Sequence, residues 1–137
     1  MAFVHGKSAY FNLDTVGGTP TDLSAYCDNI DFSAAMEAAE TTTFGNSAKT
    51  FIAGLNDATF SVSGNFDPAL DAHMTGILAA HPASLTFVIG PQGSTGGQRE
   101  IGGECLLTGY TVNPPVGDKV TFTADFQVTG AVTYGTF

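Results

Sequence analysis

The stretch "ATFSVSGNF", Ala58 to Phe66, decides the fold. Ala58, Phe60, Val62, Gly64 and Phe66 alternate with Thr59, Ser61, Ser63 and Asn65, and successive side chains of an extended chain point to opposite faces. One apolar and one hydroxyl-rich face at period two predicts a strand with one side on a core. Leu85, Phe87 and Ile89 repeat the pattern between Pro82 and the Gly90–Pro91 turn. Phe122, Ala124, Phe126 and Val128 repeat it opposite Thr121, Thr123, Asp125 and Gln127, as do Ala9, Phe11 and Leu13 ahead of Gly17–Gly18. Between Arg99 and Val112, Ile101, Gly103, Cys105 and Leu107 share a face before Tyr110 and Val112 switch. That slip predicts a bulge near Thr108 or Gly109.

The segment Asn29 to Phe44 opens as a strand at Ile30 and Phe32, but Ala34, Ala35, Ala38 and Ala39 weaken the pattern, and helix is an alternative there. A helix is expected from Pro68 to about Ala80. Asp67 stands at the N-cap, Pro68 at the first helical position, and Leu70, Met74, Ile77 and Leu78 form one stripe that stops at His81–Pro82. Pro20 and Asp22 suggest a short helical turn around Thr21 to Tyr26. The sum is a mainly β fold, a sandwich or barrel of about six to eight strands with one flanking helix and a long extended loop. The 137 residues fit a single domain without repeat or linker, long enough to bury about two thirds of its unfolded surface without a metal or disulfide.

Charged residues are 12% of the chain and hydrophobic ones 43%, against roughly 25% charged in typical soluble proteins. Such a surface is built from Thr, Ser, Asn, Gly and exposed apolar groups, which leaves patches for partners. Thirteen acidic against four basic residues give a net charge of −9, which argues against binding nucleic acid through a basic patch. Neither an export signal nor a run of eighteen apolar residues is present, so no membrane is expected and the chain reads as soluble and made in the cytoplasm. Cys27 and Cys105, with no C-x-x-C spacing, read as thiols in a reducing compartment.

Candidate chemistry fails on spacing. "HGKS" lacks the first glycine of a nucleotide loop, because residue 1 is methionine. "GPQGSTGGQRE" is glycine-rich but leads into a strand rather than a helix N-terminus, and reads as a hairpin tip. His5, His73 and His81 form no metal set, with Asp71 and His73 on different sides of a helix. No G-x-S-x-G elbow exists, and neither cysteine has an electropositive neighbour in sequence. Glu37 and Glu40, three apart on a strand, face opposite sides. No enzyme, metal or cofactor is expected.

"EAAETTTFGNSAKTFIAGLND", Glu37 to Asp57, is the unusual segment. It joins β-branched residues, turn residues and an apolar run too greasy for a free loop. We expect an arm covered by another copy of the chain, through Thr41, Thr42, Thr43, Phe44, Gly45, Asn46, Ser47, Ala48, Lys49, Thr50, Phe51, Ile52, Gly54 and Leu55. Phe44, Phe51, Ile52 and Leu55 are its apolar anchors, and Gly45 and Gly54 its bends. The alternative is a flap folded onto its own core; a structureless loop of this length inside a compact domain is uncommon unless functional.

From Asp22 to Asp67 the sequence resembles the major tail tube proteins of long-tailed, non-contractile bacteriophages. The resemblance rests on "DLS", a strand with a small-residue run, "TTTFG", "KTFIAGL" and "SVSG" in that order. It implies copies in hexameric rings, stacked into a tube that conducts the genome into the host and holds a tape-measure protein before ejection. It also implies tail terminator and tail-tip partners, and DNA that passes without specific binding. The place implied is the virion tail, after synthesis and assembly in the bacterial host cytoplasm. Six copies multiply the charge of −9 sixfold, and an acidic wall lets phosphate slide where lysine and arginine would hold it. The simpler account of the acidity is solubility. Competing readings are another virion component such as a tail terminator or a capsid decoration protein, or a ligand-binding β-sandwich module, carbohydrate being one such ligand; against the last stand the absence of tryptophan and the core-like spacing of most phenylalanines.

Overall fold

The computed structural model describes residues 5–137. Seven strands, β1 (Tyr10–Asp14), β2 (Pro20–Asp22), β3 (Cys27–Glu40), β4 (Phe51–Asn65), β5 (Leu85–Gly90), β6 (Arg99–Asn113) and β7 (Thr121–Thr136), form one sheet, with helix α1 (Pro68–Ala80) between β4 and β5. The strand order is β2-β1-β5-β6-β7-β4-β3, and each pair is antiparallel. Strand count, helix and β-dominance match the sequence expectation. The sheet is open, with β2 and β3 as its two edges, rather than a closed barrel.

The alternation puts one face inward as expected. Phe11, Leu13, Phe60, Val62, Phe87, Phe122, Ala124 and Phe126 are buried. Phe60 and Phe126, register partners on β4 and β7, stack at 4.6 Å between ring centroids. Phe60 also meets Phe11 of β1 at 5.9 Å, although three strands separate β1 from β4 in the sheet. The sheet therefore curls around its aromatic centre.

Helix α1 closes the core's open side with Leu70, Met74 and Ile77; Leu78, expected on the same stripe, is partly exposed. Asp67 caps the helix, its Oδ1 accepting from Ala69 N at 2.8 Å. His81 ends it in the left-handed conformation, its N–H donating to Ile77 O. Two side chains fasten the helix to the sheet: Tyr110 Oη donates to Asp71 Oδ1 at 3.0 Å, and His73 Nε2 to the Asp14 carbonyl at 3.0 Å. Burial holds the His73 imidazole below its usual range.

Three local expectations are corrected or sharpened. Asn29–Glu40 is strand, not helix: Ala34, Ala35, Ala38 and Ala39, which weaken the pattern, pair with Ala58, Asp57, Ala53 and Ile52 of β4, so pairing overrides propensity. Pro20–Asp22 adds a short edge strand, and the expected turn shrinks to Ser24–Tyr26. The expected bulge falls between Leu107 and Gly109. At the start of β3 the chain passes so close to β4 that a Cβ on Gly64 would lie 2.0 Å from the Tyr26 carbonyl oxygen, so only glycine fits there.

Candidate assembly surface

Every residue from Ser33 to Asp57 is exposed. The cause is visible in the ladders. Strand β4 pairs with β7 only from Thr59 to Asn65, but with β3 as far as Phe51↔Glu40. Beyond Thr59↔Gln127 the β3–β4 pair leaves the sheet as a two-stranded ribbon. Gln127 marks the fork, its Nε2 donating to Asp57 Oδ1 at 2.6 Å and to the Ala58 carbonyl at 3.1 Å. In the fork lies a crevice of about 240 Å³ with Ala34, Met36, Ala58, Val132 and Tyr134 among its walls.

The expected long loop is thus mostly ribbon, and only Thr41–Thr50 is loop. It is closed by Thr41 N donating to Thr50 O at 2.7 Å, a Thr41–Thr50 hydroxyl contact at 2.9 Å, and Thr50 N donating to Thr42 Oγ1 at 2.9 Å. Gly45 turns the apex with φ +90°, and Gly54 sits where the β3–β4 register shifts, its Cα facing Glu37. Phe44, Phe51, Ile52, Leu55 and Met36 are all exposed large apolar side chains. Phe51 and Met36 continue the core-facing side of the ribbon past Ala58, its last buried residue. Of the two accounts of this segment, folding back onto its own core is the one the structure does not adopt.

Among the described residues, strand β3 also has no partner along its outer edge over its 14 residues. A long unpaired edge is a template for another strand. Sequence reading missed it, since edge position depends on sheet order rather than on any local pattern.

The sheet's outer face is polar across four strands. One row reads Asp31–Ser61–Asp125–Gly109, its neighbours Asn29–Ser63–Thr123–Thr111 and Ser33–Thr59–Gln127–Leu106. None of the chain's four cations, Lys7, Lys49, Arg99 and Lys119, falls in these rows. Glu37 and Glu40 lie exposed on the ribbon.

The residues weighed for chemistry are scattered. "HGKS" forms a single 3₁₀ turn over Gly6–Ser8, with His5 Nδ1 accepting from Lys7 N. The glycine-rich stretch is the connection between β5 and β6. Cys27 and Cys105 are free thiols pushed up to about 12, chiefly by burial. Among the described residues no cluster of three or more His, Cys, Asp or Glu is placed to hold a metal, and no helix is long and apolar enough to cross a membrane.

A single curled antiparallel sheet, one packed helix and an overhanging hairpin define a class of β-protein built with its edge and ribbon uncovered. Solved structures similar to this chain include proteins of tails and injection systems. The chain superposes on a protein of the tail of an empty gene transfer agent particle with C6 symmetry at TM-score 0.82, with 17% identity over 97% of this chain and 99% of that one. The SPP1 tail tube matches at TM-score 0.73, with 10% identity over 98% and 80%. An extracellular contractile injection system's sheath–tube complex matches at 0.71, with 9% identity over 98% and 93%. No family model matches the sequence, and no curated protein does. The fold of this chain is the tail tube fold.

Proposed function

We propose that the chain is a structural subunit that assembles with itself into stacked, sixfold rings forming a tail tube, a conduit for DNA. The observation that carries this reading is the unpaired β3 edge joined to an entirely exposed, apolar-tipped ribbon. A lone soluble domain hides such features, whereas a polymerising one uses them. The arm is the subunit interface, from Thr41 to Leu55. The cation-free rows around Asp31 and Asp125 line the lumen, where carboxylates and hydroxyls give phosphate nothing to hold. The role is non-enzymatic, and the partners are tape-measure, terminator and tail-tip proteins at the site of the virion tail.

A second reading is favoured by a match at TM-score 0.70 to a component of a sheath/tube terminator structure. A terminator stops at one ring. Negative-stain electron microscopy of concentrated protein separates the two. Long hollow tubes are expected; closed single rings favour the terminator, and monomers alone overturn both.

A further inference from the structure

Asparagine amides are chemically labile, and those of this chain stand in two settings. Asn12, Asn29, Asn56, Asn65 and Asn113 are all paired in strand ladders. There the extended, hydrogen-bonded backbone resists the rotation that would bring the next residue's nitrogen onto the side-chain amide. Asn113 is also followed by Pro114, which has no N–H. Asn46 belongs to no strand or helix. It follows Gly45, whose φ of +90° turns the apex, and precedes Ser47, a small residue without β-branching. Both Asn46 and Ser47 are exposed. Asn46 N donates to Thr43 O in the turn, and Asn46 Nδ2 donates to Thr43 Oγ1 at 3.3 Å, long for a hydrogen bond. Among the described residues the Ser47 N–H has no backbone acceptor.

We propose that Asn46 is a site of self-modification, at which the Ser47 nitrogen displaces ammonia from the Asn46 side chain. Hydroxide takes the Ser47 amide proton. The nitrogen then attacks Asn46 Cγ, a C–N bond forms, and Nδ2 departs as ammonia with a proton from water. The product is a cyclic imide. Water opens it at one carbonyl to give aspartate, or at the other to give isoaspartate, whose main chain runs through Cγ. The sum consumes one water and releases one ammonia, with no oxidant or reductant. Thr41–Thr50 lies outside the strands and is exposed throughout, so no core packing opposes ring closure. The effect is on charge. Lys49 is the only charged side chain from Thr41 to Leu55, so a carboxylate at residue 46 cancels the segment's single positive charge. The step needs only a free tip and is independent of the tube reading.

The test is ageing of the full-length free chain at pH 7, 8 and 9. A species one charge more acidic should accumulate on isoelectric focusing, at a rate that rises with hydroxide. Peptide mapping should place the amide-to-acid change at residue 46, with Asp-N protease cutting before the aspartate product but not before isoaspartate. Ser47→Pro removes the attacking N–H and should abolish the species; Ser47→Gly, with less bulk at the nucleophile, should hasten it. No acidic species in wild type, one mapped to another asparagine, or one that persists in Ser47→Pro overturns the site. Should Ser47→Pro fail to fold, Asn46→Asp decides. It should focus with the aged species from the start and shift no further, and a further acidic shift at the wild-type rate overturns the proposal.

Discussion

Replacing Thr41–Thr50 by Asn-Gly separates folding from assembly. Glu40 and Phe51 are ladder partners, so a two-residue turn joins them in register. Nothing in the replaced segment is buried; the fold loses only exposed hydrogen bonds, such as Thr41 N to Thr50 O. Against that, shortening the loop from ten residues to two lowers the closure entropy by about (3/2)RT ln 5, or ~1.4 kcal/mol. Monomer stability should stay within about 1 kcal/mol of wild type by urea denaturation followed by circular dichroism. Assembly should fall sharply. Covering one fully exposed phenylalanine contributes about 1.5–3 kcal/mol, a factor of roughly 10 to 100 in each contact, and simultaneous contacts around a ring compound it. The critical concentration, read by sedimentation and electron microscopy, should rise more than about 100-fold. Tubes at the wild-type concentration would refute the arm. A variant that unfolds would refute the claim that the tip lies outside the fold.

Gly64→Ala should cost about 3 kcal/mol, because its Cβ meets backbone atoms of Tyr26 and Cys27 that cannot rotate away; a thermal midpoint lowered by less than about 5 °C counts against the close approach. For His73 the folded pKa lies below 6.5 through burial, so the unfolded chain takes up the proton first. Its contribution to stability is complete above pH 6.5 and is lost as pH falls through 6.5 toward the folded value. His73→Gln, which can still donate to the Asp14 carbonyl, should flatten the urea midpoint between pH 7.5 and 5.5 relative to wild type. With both thiols pushed up to about 12, neither cysteine should react with maleimide at pH 7 in the folded chain, and both should in urea; rapid labelling of native protein overturns that placement.

The residues that announce themselves are those whose pattern is enforced by burial. Phe60, Val62 and Phe126 alternate because one face of their strands must be dry, and Asp67–Pro68 and His81 bracket α1 because helix ends need caps. The ribbon is less legible. Its residues face solvent on both sides in the single chain, so nothing imposes a period on Ala34–Ala39 or Phe51–Asp57, and their pairing is fixed by register carried up from Phe32↔Phe60. Strand β2 is too short to carry a pattern. At the assembly surface, the greasy arm is visible in composition, while the open β3 edge is not, because edge position follows from sheet order.

The fork at Gln127 gives the molecule a joint. Above it the ribbon is tied to the body by the β3–β4 ladder and by one glutamine side chain, so its angle can change while every backbone pair below Thr59 stays intact. In the tube we propose, such a joint would let the struts on the outer curve tilt while the inner wall stays continuous, a hose rather than a rod.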